Sequence, residues 1–281
     1  MIKYDKVILM GSKTTAYKCA QIVGQKVRVH FCENNVDKDK IPSCYLDDSS
    51  ITWHICLNGE WKDMLKNEKE KTLFISVVNQ SILPKEIVEK DNITFVNLHF
   101  AILPNYRGRN CCGWALFNDE KITGATWHYL TEKVDEGKLL WQRKIPIAEK
   151  DTSLSLFRQQ NNIGIQLFEE NIEKLLHEDI EGIPQNQNET IHFHYAKDKP
   201  NNGFLDLNWS GKKISCFLRA MDYGPLYEFG VPMLKTNNRE VFIAAYKIEK
   251  NDLLETKITY YENNNEIIIE KDNYKFTLNI K

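Results

Sequence analysis

An alternation through the first half of the chain limits the fold more than anything else: short apolar runs trade places with stretches of helical period. A strand that is apolar at nearly every position must be buried on both faces, and a parallel sheet with crossover helices meets that need. Residues 6–10 read as a first strand, 14–22 as a helix and 27–31 as a second strand. Residues 72–78 and 93–97 are apolar enough to be central strands. Between them, Ile82-Leu83-Pro84 opens a helix that runs through Val88, with proline near the first turn, where its missing N–H costs least. Over residues 152–177, Leu154, Phe157, Ile165, Phe168, Ile172 and Leu175 recur at helical spacing, and Gly182-Ile183-Pro184 closes that helix.

Residues 185–202 are polar and read as a connecting segment. A short helix ending near Arg219-Ala220-Met221 follows, then alternating strand-like runs over 241–246, 257–261, 266–270 and 274–278. The expected architecture is therefore α/β. A Rossmann-like, mostly parallel sheet with flanking helices occupies residues 1–200, and a smaller β-rich region occupies 201–281. The hydrophobic share of 42% and charged share of 27% are ordinary for a globular chain, and the net charge of -2 lacks the basic excess of a general nucleic-acid binder. The apolar run at Val7-Ile8-Leu9-Met10 is too short to span a bilayer, and no small-residue cleavage site follows it. Seven cysteines without a C-x-x-C pair indicate neither a disulfide framework nor a zinc site, so the expected location is a reducing cytoplasm.

Several chemical motifs fail on inspection. Gly11-Ser12-Lys13-Thr14 lacks the Gly-Lys-Ser/Thr order of a phosphate-binding loop, and a G-x-G-x-x-G fingerprint is absent. His192 and His194 fall on one strand face, but no third ligand stands nearby, so no metal is expected. The adjacent Cys111 and Cys112 read as small buried hydrophobes.

The informative stretch is Asn97-Leu98-His99, then Leu103-Pro104 and Arg107-Gly108. Strand alternation puts Asn97 and His99 on one side, at the carboxyl end of a central strand where open α/β sheets bind ligands. Further on come Gly124-Ala125-Thr126-Trp127-His128, read as a strand, and Val134-Asp135-Glu136-Gly137, a tight turn carrying a carboxylate. An amide, an imidazole and a carboxylate can together stabilise an oxyanion and accept a proton, which is what acyl transfer to an amine requires.

In their order, these motifs resemble the folate-dependent formyltransferase family, most strongly over residues 70–180. The family pattern is Asn-x-His, Leu-Pro, an Arg-Gly turn, Gly-x-Thr-x-His and Asp-x-Gly, present here as Asn97/His99, Leu103-Pro104, Arg107-Gly108, Gly124/Thr126/His128 and Asp135/Gly137. One departure is Ala101, where many relatives carry serine. The resemblance implies transfer of the formyl group of 10-formyltetrahydrofolate, a co-substrate, with Asn97, His99 and Asp135 as the catalytic triad, His128 in support outside it, and no metal. The pterin is expected between the loop after strand 72–78 and the 130–134 segment, lined by Val78, Ile82, Leu83, Leu103 and Val134.

The downstream segment Arg219-Ala220-Met221-Asp222-Tyr223-Gly224-Pro225 resembles relatives acting on nucleotide-linked amino sugars and those attached to peptide synthetases. The preferred acceptor is a dTDP- or UDP-linked amino-dideoxy sugar, held by Tyr106, Arg107, Trp127, Tyr223 and Tyr227. A free or carrier-bound amino acid is the alternative acceptor, and a non-catalytic folate- or nucleotide-binding module the alternative from another class. The acidic tail, with Glu255, Glu262, Glu266, Glu270 and Asp272, is unlike the basic C-terminal domain of the tRNA enzymes. No nucleic-acid or membrane partner is expected, and the family implies a homodimer.

Overall fold

The computed structural model describes residues 1–34, 43–56, 59–186, 192–236, 239–252, 256–261 and 265–281, with the backbone alone at Tyr260. Glu255 and Glu262 of the acidic tail lie outside them. The elements run β1 (Lys6–Gly11), α1 (Lys13–Gly24), β2 (Val29–Glu33), α2 (Ser43–Leu46), β3 (Ile51–Ile55), α3 (Trp61–Asn67), β4 (Thr72–Val77), α4 (Lys85–Val88) and β5 (Ile93–His99). Then come β6 (Arg107–Gly108), α5 (Cys111–Phe117), β7 (Ile122–Tyr129), β8 (Leu139–Pro146), α6 (Ser153–His177) and β9 (Phe193–His194). The chain ends with β10 (Phe204–Leu205), α7 (Gly211–Met221), β11 (Met233–Lys235), β12 (Glu240–Lys250), β13 (Lys257–Tyr261), β14 (Glu266–Lys271) and β15 (Tyr274–Ile280).

Two compact units are present, and the chain passes between them repeatedly. The first holds Met1–Arg107, Gly124–Lys144 and Gln159–His192; the second holds Gly108–Thr123, Ile145–Arg158 and Phe193–Lys281. The main sheet has the order β3-β2-β1-β4-β5-β7-β8. Strands β1 to β5 are parallel to their neighbours, and β7 lies antiparallel on β5. Both sheet faces are packed, which is why most positions of β1 and β4 are apolar. On one face Val7, Leu9, Leu73, Ile75, Val96, Leu98 and Trp127 meet the buried residues of α1 and α6; on the other Ile8, Met10, Phe74 and Phe95 meet Trp61 and Leu65 of α3.

Gly11 is demanded by the β1–β4 approach: a Cβ there would lie 1.8 Å from the Val77 carbonyl oxygen. It is therefore a packing glycine of the sheet. Pro84 stands one residue ahead of α4, as its N-cap.

In the second unit a six-stranded sheet of order β10-β11-β12-β15-β14-β13 packs on α7. Ser210 caps α7, its hydroxyl accepting from the Lys213 amide. Arg219 is buried and donates to the Asp151 carbonyl.

One expectation from the cysteines is corrected. Cys32 and Cys56 are disulfide-linked, with Cα atoms 5.8 Å apart. Their separation of 24 residues hides the contact, which arises because the parallel β2 and β3 put both side chains on one sheet face. Cys111 and Cys112 are buried, as small hydrophobes would be. Among the described residues no helix is long and apolar enough to cross a membrane.

The β2–β3 face also stacks His30 on His54, with ring nitrogens 3.1 Å apart. Burial, and next the nearby Lys6 ammonium, hold both imidazoles below the ordinary value of 6.5. The unfolded chain thus binds these protons more readily than the folded one, so stability from the neutral pair is full above that value and lost as pH falls below it. Melting temperature should drop between about pH 7.5 and about pH 5.5, and His54→Gln should flatten that slope in thermal denaturation.

Candidate active site

Register builds the site. Strand β5 lies between β4 and β7, so Asn97 faces Ser76 on one side and His128 on the other, while His99 faces Thr126. His128 Nδ1 lies 2.8 Å from the Tyr129 carbonyl oxygen. A carbonyl only accepts, so Nδ1 carries the hydrogen and, in the neutral ring, Nε2 is bare. That nitrogen accepts from Asn97 Nδ2 at 3.1 Å, which orients the amide. The second Asn97 N–H has no protein partner among the described residues.

His99 is held in the same manner. Its Nε2 donates to the Tyr106 carbonyl oxygen at 2.8 Å, turning Nδ1 toward Asp135. The Asp135 carboxylate lies between the two rings, with Oδ2 3.5 Å from His99 Nδ1 and Oδ1 3.4 Å from His128 Nε2. Two bare imidazole nitrogens therefore face one carboxylate, and a proton arriving there has acceptors on three groups. His99, His128 and Asp135 are all buried. Asn97, His99 and Asp135 thus converge. The Nε2–H of His99 is engaged with the Tyr106 carbonyl, so a protonated His99 would act on a reacting oxygen by its charge.

The remaining motif residues are scaffolding for these groups. The Thr126 hydroxyl donates to the Ala101 carbonyl at 2.6 Å, and Gln142 donates to Thr126 Oγ1 and to the Leu103 carbonyl, tying down the loop after His99. A Cβ on Gly124 would sit 2.1 Å from the Arg143 carbonyl oxygen, and one on Gly137 1.8 Å from that of Tyr129. Asp135 itself has φ +56, the left-handed region.

Of the expected pterin residues, Leu83 and Leu103 are buried, Val78 and Val134 are half-buried, and Ile82 is 74% exposed. The two expected walls meet: Lys85 pairs with Glu132 at 3.0 Å, and Leu83 and Leu130 share one apolar cluster. Val78 has φ +51 and its carbonyl accepts from Ser12 Oγ at 3.1 Å.

The expected acceptor residues separate. Tyr106 and Arg107 are beside the triad but buried, Tyr106 stacking on His192 and Arg107 pairing with Glu136 at 3.0 Å. Trp127 is corrected to a core residue: its ring is fully buried against Phe168 and its indole N–H donates to the Gly164 carbonyl, because alternation turns it to the sheet face opposite His128. Tyr223 is likewise interior to the second unit, where its hydroxyl donates to the Asn110 carbonyl and accepts from the Gly113 amide. Tyr227 is 62% exposed. His194 stacks on Trp114 at 3.8 Å, so each histidine of the 192–194 pair is packed on an aromatic ring. Among the described residues no group of three or more His, Cys, Asp or Glu is arranged to hold a metal ion. The sequence reading missed Gln185, which lies in the segment read as a mere connector; an isolated polar residue beyond a helix carries no periodic signal.

Comparison with known proteins settles the family. Residues 6–172, more than half of the chain, match the family model described as formyl transferase. The chain belongs to the formyl transferase family. The chain is 32% identical over 179 residues to the GDP-perosamine N-formyltransferase of Brucella melitensis biotype 1, covering 64% of this chain and 66% of that one. It is 36% identical over 171 residues to the methionyl-tRNA formyltransferase of Thermodesulfovibrio yellowstonii, covering 59% and 54%. It thus spans at most about two thirds of the length of these curated relatives. Its fold matches the crystal structure of an N-formyltransferase from Helicobacter canadensis in complex with folinic acid and dTDP-3-aminofucose, with TM-score 0.78 and 19% identity over the whole of both chains.

The core placement of Trp127 is directly testable. Trp127→Ala should lower the unfolding free energy by about 3–5 kcal/mol in denaturant titration. Tyr227→Ala should leave it within about 0.5 kcal/mol.

Proposed function

We propose that this formyl transferase moves the formyl group of 10-formyltetrahydrofolate onto the amino group of a nucleotide-linked amino-dideoxy sugar. The observation that carries the reading is the Asp135 carboxylate lying 3.5 Å from His99 Nδ1 and 3.4 Å from the His128 nitrogen that orients Asn97. The co-substrate supplies an activated formyl carbonyl, which an amine attacks at carbon while the folate nitrogen leaves with a proton. The free N–H of Asn97 stabilises the oxygen as negative charge develops, and a protonated His99 adds its field in a dry setting. Asp135 takes up the proton shed by the amine, directly or through water, and the same proton passes on to the departing folate nitrogen. Val78, Ile82, Leu83, Leu103 and Val134 form the pterin slot in this reading, supported by the contact between its two walls.

The sugar-nucleotide acceptor is supported by the Brucella relative and by the fold match to a structure holding dTDP-3-aminofucose. We assign residues 1–200 to catalysis and 201–281 to a C-terminal β-rich region, in a cytoplasmic homodimer with no nucleic-acid or membrane partner. Tyr227, exposed and aromatic, is the remaining candidate of the set for contact with a base.

The test is an acceptor panel with 10-formyltetrahydrofolate, read by mass spectrometry for the added carbonyl. Formylation of a dTDP- or UDP-linked amino sugar is expected. Product only from aminoacyl carriers, free amino acids or methionyl-tRNA would move the acceptor elsewhere, and folate binding without turnover on any amine would leave a binding module. With the working acceptor, Asn97→Ala should lower kcat by about 10²–10³. His99→Ala and Asp135→Asn should be impaired to a similar degree while circular dichroism stays unchanged; full turnover by His99→Ala would contradict the mechanism.

A further inference from the structure

The turn that carries Asp135 is held by a residue far along the chain. Gln185 is buried beyond the end of α6, where the Leu139–Ile183 bridge brings the chain back to the start of β8. Its side-chain Nε2 donates to the Asp135 carbonyl at 2.7 Å and to the Gly137 carbonyl at 2.8 Å. Its Oε1 accepts from Arg107 Nη2 at 2.8 Å. Two carbonyls and a guanidinium leave no ambiguity about which way the amide points. Arg107 reaches Glu136 with Nη1, and its own amide donates to the His192 carbonyl. Gln185 therefore bonds to both sides of a turn whose first residue sits at φ +56 and whose last has no room for a Cβ.

We infer that Gln185 is a positioning residue for the Asp135 carboxylate: by bonding the Asp135 and Gly137 carbonyls and the Arg107 guanidinium at once, it holds the turn that aims Asp135 between His99 and His128. The assignment rests on the proposed acyl-transfer role of Asp135. At 3.4–3.5 Å from both imidazoles, a small displacement of the carboxylate decides whether it engages one ring, both or neither. A misplacement near 1 Å in such a site is worth about 10²-fold in rate.

Three variants separate positioning from general folding. In Gln185→Ala all three bonds are lost; Gln185→Met keeps the volume without the bonds; Gln185→Glu keeps the acceptor for Arg107 but sets a carboxylate against two carbonyls. We expect kcat to fall by about 10²-fold in each, with KM for both substrates within about twofold of wild type. Leu176→Val, a core change matched for melting temperature, should keep wild-type kcat. In an Asp135→Asn background, Gln185→Met should add less than about threefold, since a residue acting through Asp135 has nothing left to position. Additive losses in that cycle, or wild-type kcat in Gln185→Met, would overturn the inference. An activity-independent readout covers failure of the functional reading: ¹⁵N resonances of the His99 and His128 rings should shift in Gln185→Met. Unchanged resonances overturn the positioning role whether or not wild type transfers a formyl group, and shifted resonances in a wild type without turnover would reject only the assigned reaction.

Discussion

Two imidazole rings pinned to backbone carbonyls set the character of the site. His128 gives its Nδ1 hydrogen to Tyr129 and His99 gives its Nε2 hydrogen to Tyr106, so the ring nitrogens left facing Asp135 are acceptors when both rings are neutral. The rings are in these positions because β5 runs between parallel β4 and antiparallel β7, a register that lays Asn97 against His128. A slip of one residue in β7 would send His128 into the opposite core and bring Trp127 to the site. The packing of Trp127 under α6, with its indole bonded to Gly164, opposes that slip. Site geometry and core packing are thus enforced by the same alternation.

From this follows a division of labour among the motif residues. Asn97, His99 and Asp135 offer polar groups toward a common point, whereas Gly124, Thr126 and Gly137 keep backbone where a side chain would intrude or a loop would drift. Gln142 and Gln185 act likewise from outside the motifs, each amide bonding more than one backbone or side-chain partner. Gln185 is buried with both its amide hydrogens and its oxygen engaged, and Gln142 is half-buried with both its amide hydrogens engaged, which holds the site rigid. Rigidity suits the proposed acyl transfer from an activated formyl donor, in which the protein would contribute alignment and charge rather than a covalent nucleophile.

Much of this was legible in the sequence where burial is two-sided. Strands β1, β4 and β5 read out from continuous apolar runs, and α6 from its period, because packing on both faces or along one stripe imposes those patterns. Edge strands did not: β3 and β8 border the main sheet, mix polar residues among their apolar ones and gave no strand signal. The short α5 was hidden for want of length. The convergence of Asn97, His99 and Asp135 was legible through the order of the motifs, but aromatic residues were misread, since Trp127 and Tyr223 look alike in sequence whether they face a ligand or a core. The Cys32–Cys56 link and the reach of Gln185 depend on contacts between distant segments that no local pattern encodes.

The arrangement of the site depends on which nitrogen of each ring carries hydrogen, and long-range ¹H–¹⁵N correlation of the histidine side chains reads this directly. The hydrogen is expected on Nδ1 of His128 and on Nε2 of His99 when the rings are neutral, with both resonances perturbed by Asp135→Asn. A His128 ring carrying its hydrogen on Nε2, or two rings indifferent to the carboxylate, would contradict the arrangement from which the chemistry was derived.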